Sequence, residues 1–309
     1  MNTRHTRRYF LKSSCALVAL AAATPCTFTA AETLSSQSPR KRTNAKAIMW
    51  ATIGLKGSVL DKMKAVKSAG FDAVEMMSHM NQTEVLKARD ETGLAIVSVC
   101  GEKHWGIPLS NPDATVREAG FAALQQTLRD AKAYGATSIL LVPGVVNKEV
   151  SFDECWNRSI EQIKRALPLA EELGVKISIE NVWNNFITTE TQAAKYLGQL
   201  NSPWVAWHFD VGNILRYGDP LDWIKTLGKR ISRVHVKEYS RDRALRVGDV
   251  WKGFDVPLLE GANNWSAIIQ ALNDAGYTGA YITEQPGGDT AEGLTDLATR
   301  LEKILDSAN

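Results

Sequence analysis

Leu173-Gly174-Val175-Lys176-Ile177-Ser178-Ile179-Glu180-Asn181 contains the unit from which the chain is built. The stretch Asp153–Leu173 before it carries Ile160, Ile163 and Leu167 on one helical face. It ends in a glycine, the residue that most readily takes the left-handed turn closing a helix. Lys176–Glu180 is then a short apolar run of strand length, and a carboxylate stands at its far end.

The same helix–glycine–strand junction recurs at Ala69-Gly70, Tyr134-Gly135 and Ala275-Gly276. Strands are expected at Lys46–Ile53, Ala73–Met77, Ala95–Cys100, Ser138–Val142, Lys176–Glu180, Val205–Asp210, Arg233–Val236 and Ala280–Thr283. Each is β-branched or continuously apolar, as in a parallel sheet covered on both faces. Helices are expected at Val59–Ala69, Asp113–Tyr134, Asp153–Leu173, Glu190–Leu200, Leu221–Leu227, Trp265–Ala275 and Glu292–Leu305. Alternation of this kind predicts an α/β fold, a single (β/α)8 barrel over residues 46–309. A doubly wound open sheet is the competing architecture. It would usually place a glycine-rich phosphate turn after the first strand, and Ile53-Gly54-Leu55-Lys56-Gly57 matches that poorly.

The chain has 309 residues and a formal charge of +2, too small a basic excess for a general nucleic-acid binder. The charge is unevenly placed. Residues 1–31 hold Arg4, Arg7, Arg8 and Lys12 and no acid, so the rest is mildly acidic. Those residues also hold a short Ala-rich apolar run and small residues before Ala31, the parts of a cleavable export signal. Thr6-Arg7-Arg8-Tyr9-Phe10-Leu11-Lys12 matches the twin-arginine pattern. The expectation is a signal peptide over 1–31, a flexible leader over 32–45, and export by the twin-arginine machinery to the periplasm or beyond. The product would have no stable membrane anchor, since the apolar run is too short to span a bilayer. Cys100 and Cys155 are the two cysteines beyond the signal; a disulfide and two buried thiols both fit.

In a barrel of this kind, chemistry sits at the C-terminal ends of the strands. Those ends carry Glu75 and His79, Glu102 and His104, Glu180 and Asn181, His208 to Asn213, His235 to Glu238, and Glu284 with Gln285. Converging strand ends would crowd Glu180, Asp210 and Glu284 together. Three like charges so close raise one another's pKa values unless a cation lies between them. Oxygen ligands with one imidazole, from His235, suit a single divalent metal ion: Mn²⁺ first, with Mg²⁺, Co²⁺ or Zn²⁺ as alternatives.

Four segments, Ile179-Glu180-Asn181, Phe209-Asp210-Val211-Gly212-Asn213, Val234-His235-Val236-Lys237-Glu238 and Thr283-Glu284, resemble the sugar phosphate isomerase/epimerase superfamily of xylose isomerase-like TIM barrels. Ser98-Val99-Cys100-Gly101 with Pro108-Leu109-Ser110-Asn111-Pro112-Asp113 resembles its ketopentose-phosphate 3-epimerase branch. The resemblance implies Glu180, Asp210, His235 and Glu284 as metal ligands, with Glu180 and Glu284 also the catalytic acid/base pair. It implies Arg241 as the residue that orients a ketose. Family epimerases often carry a histidine three residues beyond the metal aspartate, where this chain has Asn213. Leu259-Glu260-Gly261 resembles the family's Gly-Glu-Gly turn, with Leu in place of the first Gly.

The implied reaction is α-proton abstraction from a hydroxyketone through an enediolate, with reprotonation giving an epimer or an isomer. A lyase or hydratase acting on 3-oxo-glycosides would use the same first step. Export favours an unphosphorylated sugar or an oxidised glycoside, because phosphosugars belong to the cytoplasm. His79, His104, Trp105, Trp183, His208 and Arg241 are candidates to touch substrate, and Trp251 could stack on a sugar face. Glu75, Asn181, Asn213 and Lys237 are candidates to support the ligands. The partner expected is a small-molecule sugar, not nucleic acid, and a homo-oligomer is compatible with the sequence. Two other classes remain. An endonuclease IV-like enzyme would need many more histidines than the four beyond the signal, and a non-catalytic sugar-binding barrel has no need for Glu180 and Glu284.

Overall fold

The computed structural model of the chain describes residues 44–308. Eight parallel strands close into a barrel in sequence order. They are β1 (Lys46–Met49), β2 (Ala73–Met77), β3 (Ala95–Cys100), β4 (Ser138–Leu141), β5 (Lys176–Glu180), β6 (Val205–Asp210), β7 (Ile231–Val236) and β8 (Tyr281–Thr283). The outer helices are α1 (Val59–Ser68), α2 (Gln82–Thr92), α3 (Ala114–Tyr134), α4 (Phe152–Leu173), α5 (Glu190–Leu200), α6 (Val211–Ile214), α7 (Pro220–Leu227), α8 (Arg241–Val247), α9 (Trp265–Asp274) and α10 (Ala291–Asp306). The expected (β/α)8 barrel is therefore the fold, and the open-sheet alternative is excluded because β8 pairs with β1.

The helix–glycine–strand unit behaves as its chemistry requires. Ser151 caps the start of α4 in a reciprocal capping box with Glu154, and Gly174 closes the helix at φ 67°. Ile177 and Ile179 of β5, Trp207 and Phe209 of β6, and Val234 and Val236 of β7 belong to the apolar layer between barrel and helices. Side chains alternate along a strand, so Glu180, His208, Asp210 and His235 are left for the interior. A smaller apolar cluster, including Met49, Cys100, Leu140 and Ile282, packs inside the barrel.

Four differences from the sequence reading stand out. β1 stops at Met49, and Trp50–Thr52 turns into a 3₁₀ segment in which Thr52 Oγ1 donates to Met49 O at 2.8 Å. β7 begins two residues earlier than expected, because Ile231 pairs with Trp207. α2 was not anticipated: it buries only Val85 and Ala88, too few for a clear apolar stripe, although Asn81 and Gly93 cap it. Finally, Asn44 and Ala45, assigned to the leader, take part in the barrel. Asn44 Nδ2 donates to Gly279 O and Tyr281 N–H donates to Ala45 O. The expected export signal lies outside the described residues. Cys100 and Cys155 are free, buried thiols. Among the described residues, no helix is long and apolar enough to cross a membrane.

Candidate active site

The C-terminal ends of β5, β6 and β7, with the residue after β8, bring Glu180, Asp210, His235 and Glu284 together. One ligand atom from each lies within 4.8 Å of the others. His235 Nδ1 is 3.0 Å from Glu180 Oε1, 3.4 Å from Glu284 Oε2 and 3.9 Å from Asp210 Oδ2. Asp210 is fully buried, and its Oδ2 has no hydrogen-bond partner. A bare, buried carboxylate oxygen is costly, and a cation among these four groups would satisfy it. The donor set of three carboxylates and one imidazole fits a divalent ion of the Mn²⁺ or Mg²⁺ kind.

The surrounding residues fix these groups in place. His235 Nε2 meets Glu75 Oε2 at 2.7 Å, both side chains buried, which leaves Nδ1 facing the other three. Asp210 caps α6 by accepting from Asn213 N–H at 2.8 Å. Asn181 holds the same corner: its Nδ2 donates to Asp210 O, while its Oδ1 accepts from Asp210 N–H and Trp207 Nε1–H. Asn213 Nδ2 returns a bond to Asn181 O. Gly212 is required there, since a Cβ would meet Lys237 O at 2.6 Å. Lys237 Nζ lies 2.7 Å from Glu284 Oε2 and 3.7 Å from Asp210 Oδ2, supplying positive charge to the cluster.

These neighbours push the acids apart. Burial lifts Asp210 to about 8, the charges of Glu284 and Glu180 adding to the rise while Lys237 and His235 oppose it. Burial also raises Glu180, against the pull of His235. Burial would raise Glu284 too, but Lys237 and His235 outweigh it and hold the carboxyl well below its ordinary value. Burial disfavours the charged form of His235, yet Glu75, Glu284 and Glu180 carry it well above the usual histidine range. Two carboxyls whose environments separate their proton affinities are the usual materials of an acid/base pair.

A cavity of about 330 Å³ opens over this cluster. Glu180, Glu284, Lys237 and Asn213 line it, with His104, Trp105, Trp183 and Trp251. His104 accepts from Val142 N–H through Nδ1, and burial lowers its pKa to about 4, so it faces the cavity neutral.

Three residues expected to touch substrate are placed elsewhere. Arg241 starts α8 and turns away, its Nε donating to Leu215 O at 2.7 Å, because that carbonyl at the end of α6 needs a donor. His79 is exposed and does not line the cavity. Its N–H donates to Asp130 and its ring meets Ser78 Oγ. His208 is fully buried behind His235, ring centroids 4.2 Å apart, with neither ring nitrogen hydrogen-bonded. Sequence reasoning missed other contributors. Met49, Ala51, Met77 and Cys100 also line the cavity, and Arg216 stacks over the Trp183 ring at 4.6 Å. The strand ends of β1 to β3 would have been the place to look for the lining residues; nothing local singles out Arg216.

A model of the xylose isomerase-like TIM barrel family matches residues 63–305. The chain belongs to that family. Among its relatives is the L-ribulose-5-phosphate 3-epimerase UlaE of Escherichia coli (strain K12), 26% identical over 261 residues, which are 80% of this chain and 87% of that one. The fold of this xylose isomerase-like barrel is shared with an L-ribulose 3-epimerase structure at a TM-score of 0.71 and 19% identity, covering 86% and 95% of the two chains. It is also shared with 3-keto-D-glucoside 4-epimerase YcjR from E. coli at a TM-score of 0.70 and 17% identity, covering 85% and 100%. These relatives are named as epimerases, in agreement with the isomerase class read from the sequence.

Proposed function

We propose that this family member is a divalent-metal-dependent sugar epimerase or isomerase acting on an unphosphorylated ketose or oxidised sugar. The observation that carries the reading is that Glu180 and Glu284, from strand ends three apart around the barrel, line one cavity beside His235. Glu180, Asp210, His235 and Glu284 would hold the metal. When bound, it would polarise a substrate carbonyl and the adjacent hydroxyl, which acidifies the α proton. Either glutamate would take that proton at a carboxylate oxygen, and the other would return one from the opposite side, inverting the carbon.

The electrostatics support a neutral substrate. The acidic and basic side chains lining the cavity, His104 apart, are Glu102, Glu180, Glu284 and Lys237, and Lys237 is already paired with Glu284. A phosphate would enter against three carboxylates with no free cation among the lining residues. The test is metal analysis of purified protein, then a panel of ketoses and 3-oxo-glycosides in D₂O. Metal-dependent deuterium uptake at the α carbon, lost in Glu180→Gln and Glu284→Gln, is expected. A uniformly unlabelled panel would refute the reading. Product analysis separates epimerisation from β-elimination, the lyase alternative.

We also propose that the protein is exported through the twin-arginine pathway, on the strength of Thr6-Arg7-Arg8-Tyr9-Phe10-Leu11-Lys12. Replacing Arg7 and Arg8 by lysine should retain the protein in the cytoplasm; undiminished export would refute this.

A further inference from the structure

Exposure sorts the cavity lining by depth. Glu180 is 7% exposed, whereas Trp105 and Trp251 are 51% and 58% exposed. Indole rings are rarely left so open without a partner, and here both contribute to the wall of the cavity that holds the carboxylates.

Neither ring is a loose ornament of its loop. Trp251 N–H donates to Asp249 Oδ1, and the flanking segment is tied down by Tyr239 Oη to Val250 O and by Ser240 N–H to Gly253 O. Its indole lies 4.6 Å from that of Trp183, which rests on Phe254 and is anchored by Nε1–H to Asn213 O. Trp105 packs edge-on to His104, whose own ring is hydrogen-bonded. Two half-exposed rings thus line a cavity whose other side holds Glu180 and Glu284.

We infer that Trp105 and Trp251 form an aglycone subsite: the substrate is an intact glycoside. The oxidised sugar ring would lie at the carboxylates, and a second flat-faced ring, pyranose or aryl, would stack on the two indoles. The inference rests on the epimerase reading for what happens at the floor, but the subsite itself is a binding claim. A free ketose would leave both tryptophans in water. An anionic aglycone gains nothing there, since the outer wall offers aromatic surface and Glu102.

The test uses unoxidised glycosides, which cannot react, so that binding is read without turnover. Metal-loaded full-length protein is titrated with methyl β-D-glucopyranoside, phenyl β-D-glucopyranoside and cellobiose by calorimetry. At least one of the two-ring probes should bind about tenfold more tightly than the methyl glycoside, the scale of one aromatic stacking contact. Which of the two gains identifies the second ring as sugar or aryl. Trp251→Ala and Trp105→Ala should each remove most of that advantage while leaving the methyl glycoside within about twofold. Equal binding of all three, binding of none, or an advantage that survives both substitutions would overturn the subsite. So would a dimer that Trp251→Ala converts to monomer with no ring preference, since the face would then serve a second copy. If the ring preference holds but the matching 3-oxo-glycosides take up no deuterium, the epimerase reading fails and the subsite stands.

Discussion

Replacing Glu75 by glutamine should weaken metal binding about tenfold without unfolding the chain. Glu75 is not one of the Glu180, Asp210, His235 and Glu284 group; it clusters with His208 and His235 on the other side of the imidazole. Its Oε2 is 2.7 Å from His235 Nε2, and its Oε1 has no hydrogen-bond partner, so its one bond is the one that orients the imidazole. Glutamine has nearly the same shape and its carbonyl can accept from the same N–H. The bond then changes from charge-assisted, worth about 1.5–3 kcal/mol, to neutral, worth about 0.5–1.5 kcal/mol. The difference, about 1–1.5 kcal/mol, is roughly a factor of ten in affinity. It matches the ten- to hundredfold losses seen when the outer partner of a metal-bound histidine is altered. Competitive titration with Mn²⁺ and a chelating indicator measures it, with a thermal melt as the control for folding. An affinity unchanged within twofold would refute the orienting role. A loss as complete as that of Asp210→Asn would refute the distinction between supporting and binding residues.

Asp210 supplies a pH prediction. Its metal-free pKa is raised to about 8, so the folded chain holds that proton up to pH 8 and a cation must displace it. Metal affinity should fall at least about tenfold per unit below pH 8, since His235, held well above the usual histidine range, must also give up a proton; calorimetry between pH 6 and 8 measures it, and a flat profile would contradict the assignment. Arg241→Ala should leave kcat/KM for any substrate within about twofold and lower stability by about 1 kcal/mol, because the side chain serves Leu215 O and not the cavity. A hundredfold loss of activity with an unchanged melting temperature would restore it to the site. Leu259→Gly should stabilise the fold by about 1 kcal/mol in denaturant titration. Leu259 sits at φ 72°, where a Cβ is unfavourable, and only its backbone N–H is used, donating to Glu238 Oε2. No gain, or a loss, would mean the exposed leucine side chain compensates for the strain.

The barrel was legible because its signals are local. A helix capped by Gly174 and a strand Lys176–Glu180 can be read without knowing where the chain goes next. The residues that gather at the site were legible for the related reason that a carboxylate ending an apolar strand has few structural uses. Direction was not legible. Arg241 lies at a spacing that suits a substrate contact, but α8 begins there and the side chain is drawn to the carbonyl at the end of α6. His79 adopts φ 61°, which turns its backbone N–H to Asp130, a residue 51 positions away. Arg216 stacks on Trp183 across 33 positions of sequence, a meeting fixed by the packing of α6 and the β5 loop rather than by any motif.

The least legible feature is also the one that aims His235. Register breaks in two ladders, between Val74 and Glu75 where β2 meets β3 and between Trp207 and His208 where β6 meets β7. Such irregularities bend a strand and redirect the next side chain. The extra residues are Val97 of β3 and Ser232 of β7, the latter three positions before His235. Glu75 and His208 follow the breaks on the facing strands and both pack on His235, one as the acceptor at Nε2, the other as a ring 4.2 Å away. A barrel with regular ladders would still bring Glu180, Asp210, His235 and Glu284 to one end, because alternation alone does that. Composition and periodicity therefore determine which residues can bind the cation. The contact with Glu75 at Nε2 and the ring of His208, neither signalled by periodicity, set the direction in which the imidazole points.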